Sequence, residues 1–216
     1  MASTPSPEPA GPRDGLIGAA PRDILLFAAR TLAWAIVFFG AWYVAAKPIS
    51  LVTSWVAARA LEATTPADSV RVAWRNDRTL FEIRPDASTT YRDRLPAGMS
   101  VDMEVNTLKQ TYGVPFFLAL LAAARARRFV AKATAGVAIL MVLAAIGVAC
   151  EVAIGFGTTQ VAGAQPFAPG AAAGTLFALG LQLGTLIFPC VVPVALAIGF
   201  AGPVTRIPTS APRSAS

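Results

Sequence analysis

Few residues of this chain are equipped for chemistry. It holds two cysteines, twelve Asp and Glu, eighteen Lys and Arg, and no histidine. Without an imidazole there is no Ser-His-Asp triad, no Cys-His dyad and no His-ligated metal site. Cys150 and Cys190 stand forty positions apart inside apolar runs, so they form neither a CxxC pair nor a disulfide framework. Neither has a neighbouring base or cation that would make a nucleophilic thiolate. Glu151 is the only carboxylate inside an apolar run, a setting costly enough to demand a partner. Lys47 and Lys109, which close and open neighbouring apolar runs, are the candidate partners, and a structural pair near the bilayer surface is the expected role. Gly180 and Gly184 form a GxxxG spacing around Gln182 that lets a second helix approach closely. Pro189 and Pro193, flanking Cys190, are expected to bend their helix. No enzymatic activity, cofactor, metal or nucleic-acid site is expected from this inventory.

The elements that must position these residues belong to a membrane. Charged residues make up 14% of the 216 positions, against 55% hydrophobic, with a mean hydropathy of +0.59. A soluble domain carries about a quarter charged residues, so the chain reads as integral to the bilayer. Crossing a hydrocarbon core of about 30 Å takes around 20 apolar residues, and four stretches approach that length: 24–46, 107–124, 133–155 and 171–201. The expected fold is therefore a multi-pass α-helical membrane protein of about four transmembrane helices. The second span is the shortest, with Gly113 and Pro115 in its first turns, where a missing amide costs least. The linker 125–132 carries four cations and no anion, which places it in the cytoplasm together with both termini. The first span is too long, and its N-terminal flank too poor in basic residues, for a cleaved signal peptide. Residues 1–20 and 203–216, rich in Pro, Ala and Ser, read as disordered tails without motifs.

Between the first two spans, residues 48–106 change character and read as a small exported α+β loop domain. Ile49, Val52, Trp55, Val56 and Leu61 recur near the helical period, which predicts an amphipathic helix lying on the membrane or on a sheet. Val70, Val72 and Trp74 alternate with arginines, Phe81 and Ile83 share a face after an Arg-Asn-Asp-Arg turn, and Met99, Val101, Met103 and Val105 alternate with Ser100, Asp102 and Glu104. Three antiparallel strands are predicted, with arginines on the first facing acids on the last across the sheet.

The third strand runs through Val105, Asn106, Thr107 and Leu108 into Thr111-Tyr112-Gly113-Val114-Pro115-Phe116-Phe117-Leu118. This junction resembles the exosortase H-associated membrane proteins, small bacterial inner-membrane proteins that accompany a multi-spanning cysteine transpeptidase-like sorting enzyme. In that family an Asn-Pro-Leu segment precedes an aromatic-rich Tyr-Gly-Leu-Pro start of a helix. Here Asn106, Tyr112, Gly113 and Pro115 match, Thr107 replaces Pro, Val114 replaces Leu, and Gln110 stands where an aromatic is usual. The resemblance covers roughly residues 24–121. It implies a non-enzymatic accessory protein of an exosortase-type protein-sorting system, contacting the sorting enzyme or its substrates through the exported domain and helix bundle. A small transport or channel-type protein is the alternative, but its spans would need a polar lining, and they offer only Glu151, Gln182 and scattered threonines.

Both termini are expected in the cytoplasm and residues 48–106 outside. Reporter fusions check this: a fusion at Asp86 should be active only as an exported reporter, and one at Phe129 only as a cytoplasmic reporter.

Overall fold

The computed structural model describes residues 21–64, 67–75, 78–85, 100–159 and 170–201. Two helices, α1 (Pro21–Val44) and α5 (Phe129–Thr158), are each long and apolar enough to cross a bilayer. A third crossing is obtained if α6 (Ala171–Gln182), a π-helical turn (Leu183–Ile187) and α7 (Val191–Ala201) act as one span broken by a 62° bend. The cause of the break is in the sequence. Pro189 and Pro193 have no amide to donate, and the Phe188 amide instead reaches back to the Leu183 carbonyl at 2.8 Å.

The stretch expected as a span at 107–124 is helical, but it is shorter than the helices that qualify as candidate crossings by length and composition. It divides into α3 (Leu108–Thr111) and α4 (Gly113–Ala123). Tyr112 between them keeps α-helical backbone, with φ −65° and ψ −14°, so the two run on as a stretch of about 24 Å by helical rise, short of a hydrocarbon core of about 30 Å. Its Val114, Phe117, Ala119 and Leu121 are buried, and it packs on α1, α5 and α7. Among the described residues two helices, or three crossings with the bent pair, are long and apolar enough to span.

α2 (Ala46–Thr64) continues α1 with little interruption. The Ala45 amide bonds the Ala41 carbonyl and the Ile49 amide bonds the Ala45 carbonyl, so the backbone ladder runs through the junction and fails only at Pro48. Of the apolar residues expected to lie on the membrane or on the sheet, Leu61 packs in the sheet core while Val52, Trp55 and Val56 face outward. Ser50, Thr53, Ser54, Ala57, Ala58 and Leu61 are buried, whereas Val52 and Trp55 are 57% and 59% exposed and Val56 is also exposed. Apolar period alone does not say which side packs. Here the small and hydroxylated residues allow close approach to α5, where the Thr53 hydroxyl meets the Met141 sulfur at 3.8 Å. The arginine beyond Trp55, Arg59, lies over the indole and also bonds Glu62 at 2.9 Å.

The sheet is a meander of β1 (Ala67–Arg75), β2 (Arg78–Pro85) and β3 (Val101–Val105), antiparallel in the order β1-β2-β3. Val70 opposes Ile83, Val72 opposes Phe81, and Phe81 opposes Met103. Val70, Phe81, Ile83, Val101 and Val105 form one core with Ala57, Ala58 and Leu61 of α2 and Val148, Val152 and Phe156 of α5. Met99 and the turn at 76–77 lie outside the described residues. The expected pairing of β1 arginines with β3 acids does not occur, because β2 lies between them. Arg71 opposes Glu82, and Glu82 in turn opposes Asp102.

At the opposite end of the bundle, α4 turns into α5 through Ala124–Arg128. Arg125 and Arg128 both adopt left-handed backbone, with φ of 50° and 59°. Side chains beyond Gly strain there, since Cβ crowds the following carbonyl oxygen. The Lys132 ammonium donates to the Phe200 carbonyl and ties the end of α7 to the start of α5. Phe117 packs edge-on to Phe200 and fills the space beside Gly136.

Arg128→Gly should therefore raise stability by about 0.5–1 kcal/mol, the left-handed penalty less the entropy that glycine loses on folding. Thermal unfolding of the detergent-solubilised chain measures it.

Candidate functional site

The junction from β3 to α3 is built by local hydrogen bonds. The Asn106 side-chain oxygen accepts the Leu108 amide at 3.2 Å, an Asx turn that ends the strand and begins the helix. The buried Thr107 hydroxyl meets that of Thr79 on β2 at 3.4 Å, anchoring the turn to the sheet. One helical turn on, Lys109 and Gln110 converge on α5. The Lys109 ammonium lies 2.5 Å from one oxygen of Glu151, and the Gln110 amide nitrogen donates to the other at 2.9 Å. Of the two lysines nominated for Glu151, the structure pairs it with Lys109. Lys47 is exposed in the first turn of α2 and makes no ion pair among the described residues.

Gln110 is the residue that sequence reasoning missed as a partner, noting it only as a departure from an aromatic. It is 3% exposed, and its side-chain oxygen accepts no conventional hydrogen bond among the described residues. That oxygen lies between two glycines. A Cβ added to Gly147 would stand 1.9 Å from it, and one added to Gly184 would stand 3.2 Å from it. The same added atoms would come within 3.0 Å and 2.7 Å of the facing glycine's Cα, so α5 meets the π-helical turn at a glycine-on-glycine crossing. Gly180, one turn earlier, faces the Cys150 sulfur, where an added Cβ would be 2.4 Å away. The GxxxG spacing therefore packs within this chain, against Gly147 and Cys150 of α5. The signal that could have located the contact is the spacing itself, since Gly147 lies one turn before Glu151 on the same helix face.

The remaining nominated residues surround the break in the last helices. The Tyr112 hydroxyl and the Cys190 thiol are 3.1 Å apart. Gly113 faces Pro189, where an added Cβ would be 2.9 Å from both the Cα and the carbonyl oxygen of that residue. Pro115 is buried in the first turn of α4. The arrangement is a clasp: one carboxylate on α5, two donors at the exit of the sheet, and glycines that admit them. Among the described residues no three potential metal ligands come together, and neither cysteine meets a base. This geometry joins the exit of the sheet to α5 through two side-chain bonds on one carboxylate.

The family model for the exosortase H-associated membrane protein matches residues 21–203. The chain belongs to that family. No curated protein and no solved structure matches it. The match takes in every described element, so the clasp, the sheet and the bent helix pair of this exosortase H-associated membrane protein lie within the family's span.

Gly147→Ala should destabilise this family member by about 1–3 kcal/mol, because its methyl would overlap the Gln110 oxygen. Combining it with Gln110→Ala should return part of that loss, with a coupling of about 0.5–3 kcal/mol in a double-mutant cycle. Unfolding of the four variants in one detergent supplies the cycle.

Proposed function

We propose that the protein is a non-enzymatic accessory component of a bacterial exosortase-type sorting system, and that it contacts the sorting enzyme or its substrates through both the sheet domain and the helix bundle. Family membership supports the association with an exosortase. The observation that carries the mechanism is the Glu151 clasp, since a surface recognised on the sheet is then held in fixed register with the bundle. The membrane in question is the inner membrane, with the sheet outside and the basic turn 125–132 inside. The cation-only composition of that turn supports this orientation. α1 has no buried residue and α2 presents Val52, Trp55 and Val56 outward, so these faces suit lipid or the membrane helices of a partner.

The transport alternative gains nothing from the geometry. Glu151 is already engaged by Lys109 and Gln110, and Gln182 is exposed on the outer face of α6.

The test is co-purification of an exosortase encoded in the same cell, at matched expression. The intact chain should recover it. One residue inserted after Val105 rotates α3 by about 100° relative to the sheet and takes Lys109 and Gln110 off Glu151, so recovery should fall about tenfold or more. Glu151→Gln keeps an acceptor for Gln110 and should reduce stability modestly while leaving recovery near that of the intact chain. Full recovery with the insertion would show that sheet and bundle are read separately.

A further inference from the structure

We propose that the crevice between α1 and the α4–α5 turn is a binding site for an anionic phospholipid, with an acyl chain in the crevice and the phosphate on Arg125 and Arg128. The crevice is about 390 Å³ and is lined by Trp34, Phe38, Ala122, Arg125, Ala126 and Phe129. That volume lies in the range of small-molecule sites, about 300–1,000 Å³. Trp34 and Phe38 stack at 5.6 Å and form one apolar wall. Arg125 is the one charged residue in the lining.

The charge balance at its rim selects the ligand. Arg125, Arg127 and Arg128 are exposed, residues 124–132 contain no acid, and none of the ion pairs among the described residues involves this turn. Lys132 is occupied by the Phe200 carbonyl. Among the described residues, three guanidinium groups are thus left without an anion beside an apolar slot. Guanidinium binds phosphate through paired, charge-assisted hydrogen bonds, and a zwitterionic headgroup presents its own cation to the same groups. Two left-handed arginines in one short turn are also an expensive way to make a bend that glycine would make without strain. The cations at these positions, and not the turn, account for that choice.

The experiment uses the full chain, purified in detergent and equilibrated with equal amounts of phosphatidylglycerol and phosphatidylcholine, with retained lipid counted by native mass spectrometry. Phosphatidylglycerol should be retained about five- to tenfold over phosphatidylcholine, a preference of the size expected from one or two basic residues at a membrane surface. Arg125→Gln with Arg128→Gln should bring the ratio to near unity. Arg128→Gly guards against misfolding: it should lower the ratio while the melting temperature stays level or rises. Ala126→Phe, which fills the slot, should reduce retention of both lipids. Equal retention of the two lipids by the intact chain, or an unchanged ratio in the arginine variants, overturns the proposal. So does Ala126→Phe if it leaves lipid retention unchanged, and a shift between monomer and dimer in that variant would then assign the crevice to a second copy of the chain.

Discussion

A carboxylate among apolar helices has to be neutralised by whatever can reach it, and Glu151 is reached by two consecutive residues at the exit of the sheet. That requirement orders much of the rest. Lys109 and Gln110 occupy neighbouring positions of a four-residue helix, so both bonds form only if α3 starts at the right place, which is the work of the Asx turn at Asn106 and the Thr107–Thr79 contact. Lys109 keeps solvent access, with 44% of its side chain exposed, whereas Gln110 is buried, so loss of the carboxylate strands the amide more than the ammonium.

The glycines answer to the same constraint. A glutamine cannot be placed between two packed helices unless both lack side chains where its head lies, and Gly147 and Gly184 supply that absence. Their Cα hydrogens are the groups that face the otherwise unpartnered oxygen, and such contacts are weak acceptor satisfactions of well under a normal hydrogen bond. Close approach at this crossing then lets Gly113 sit against Pro189, so the break in the last helices is filled by the start of α4. The bend is thereby a packed feature of the bundle interior.

How much of this could be read beforehand depended on whether the signal was local. The long apolar runs of α1 and α5 and the alternation in the three strands are local, and they are present as expected. Glu151 was conspicuous for its type, but Lys47 and Lys109 were equivalent until the fold brought one of them to it. The apolar period of α2 named the residues but not their partners: Leu61 packs on the sheet, Val52, Trp55 and Val56 face outward, and the hydroxyls of Ser50, Thr53 and Ser54 turn inward. The stretch 107–124 is apolar and helical as expected, but hydropathy counts residues and gives no signal of the left-handed backbone at Arg125 that ends it. Arginine at a positive φ carries no sequence signature, unlike glycine or asparagine.

The shortness of α4 bears on how the protein is made. A ribosome delivers α4 to the translocon before α5 exists, and α3 and α4 together fall short of a full hydrocarbon thickness. Lys109 arrives at the same moment without its counter-ion, which lies 42 positions further along the chain. Both needs are met by one later element: α5 brings the apolar wall that α4 packs against and the carboxylate that Lys109 meets, so the two contacts close together only after α5 has been made.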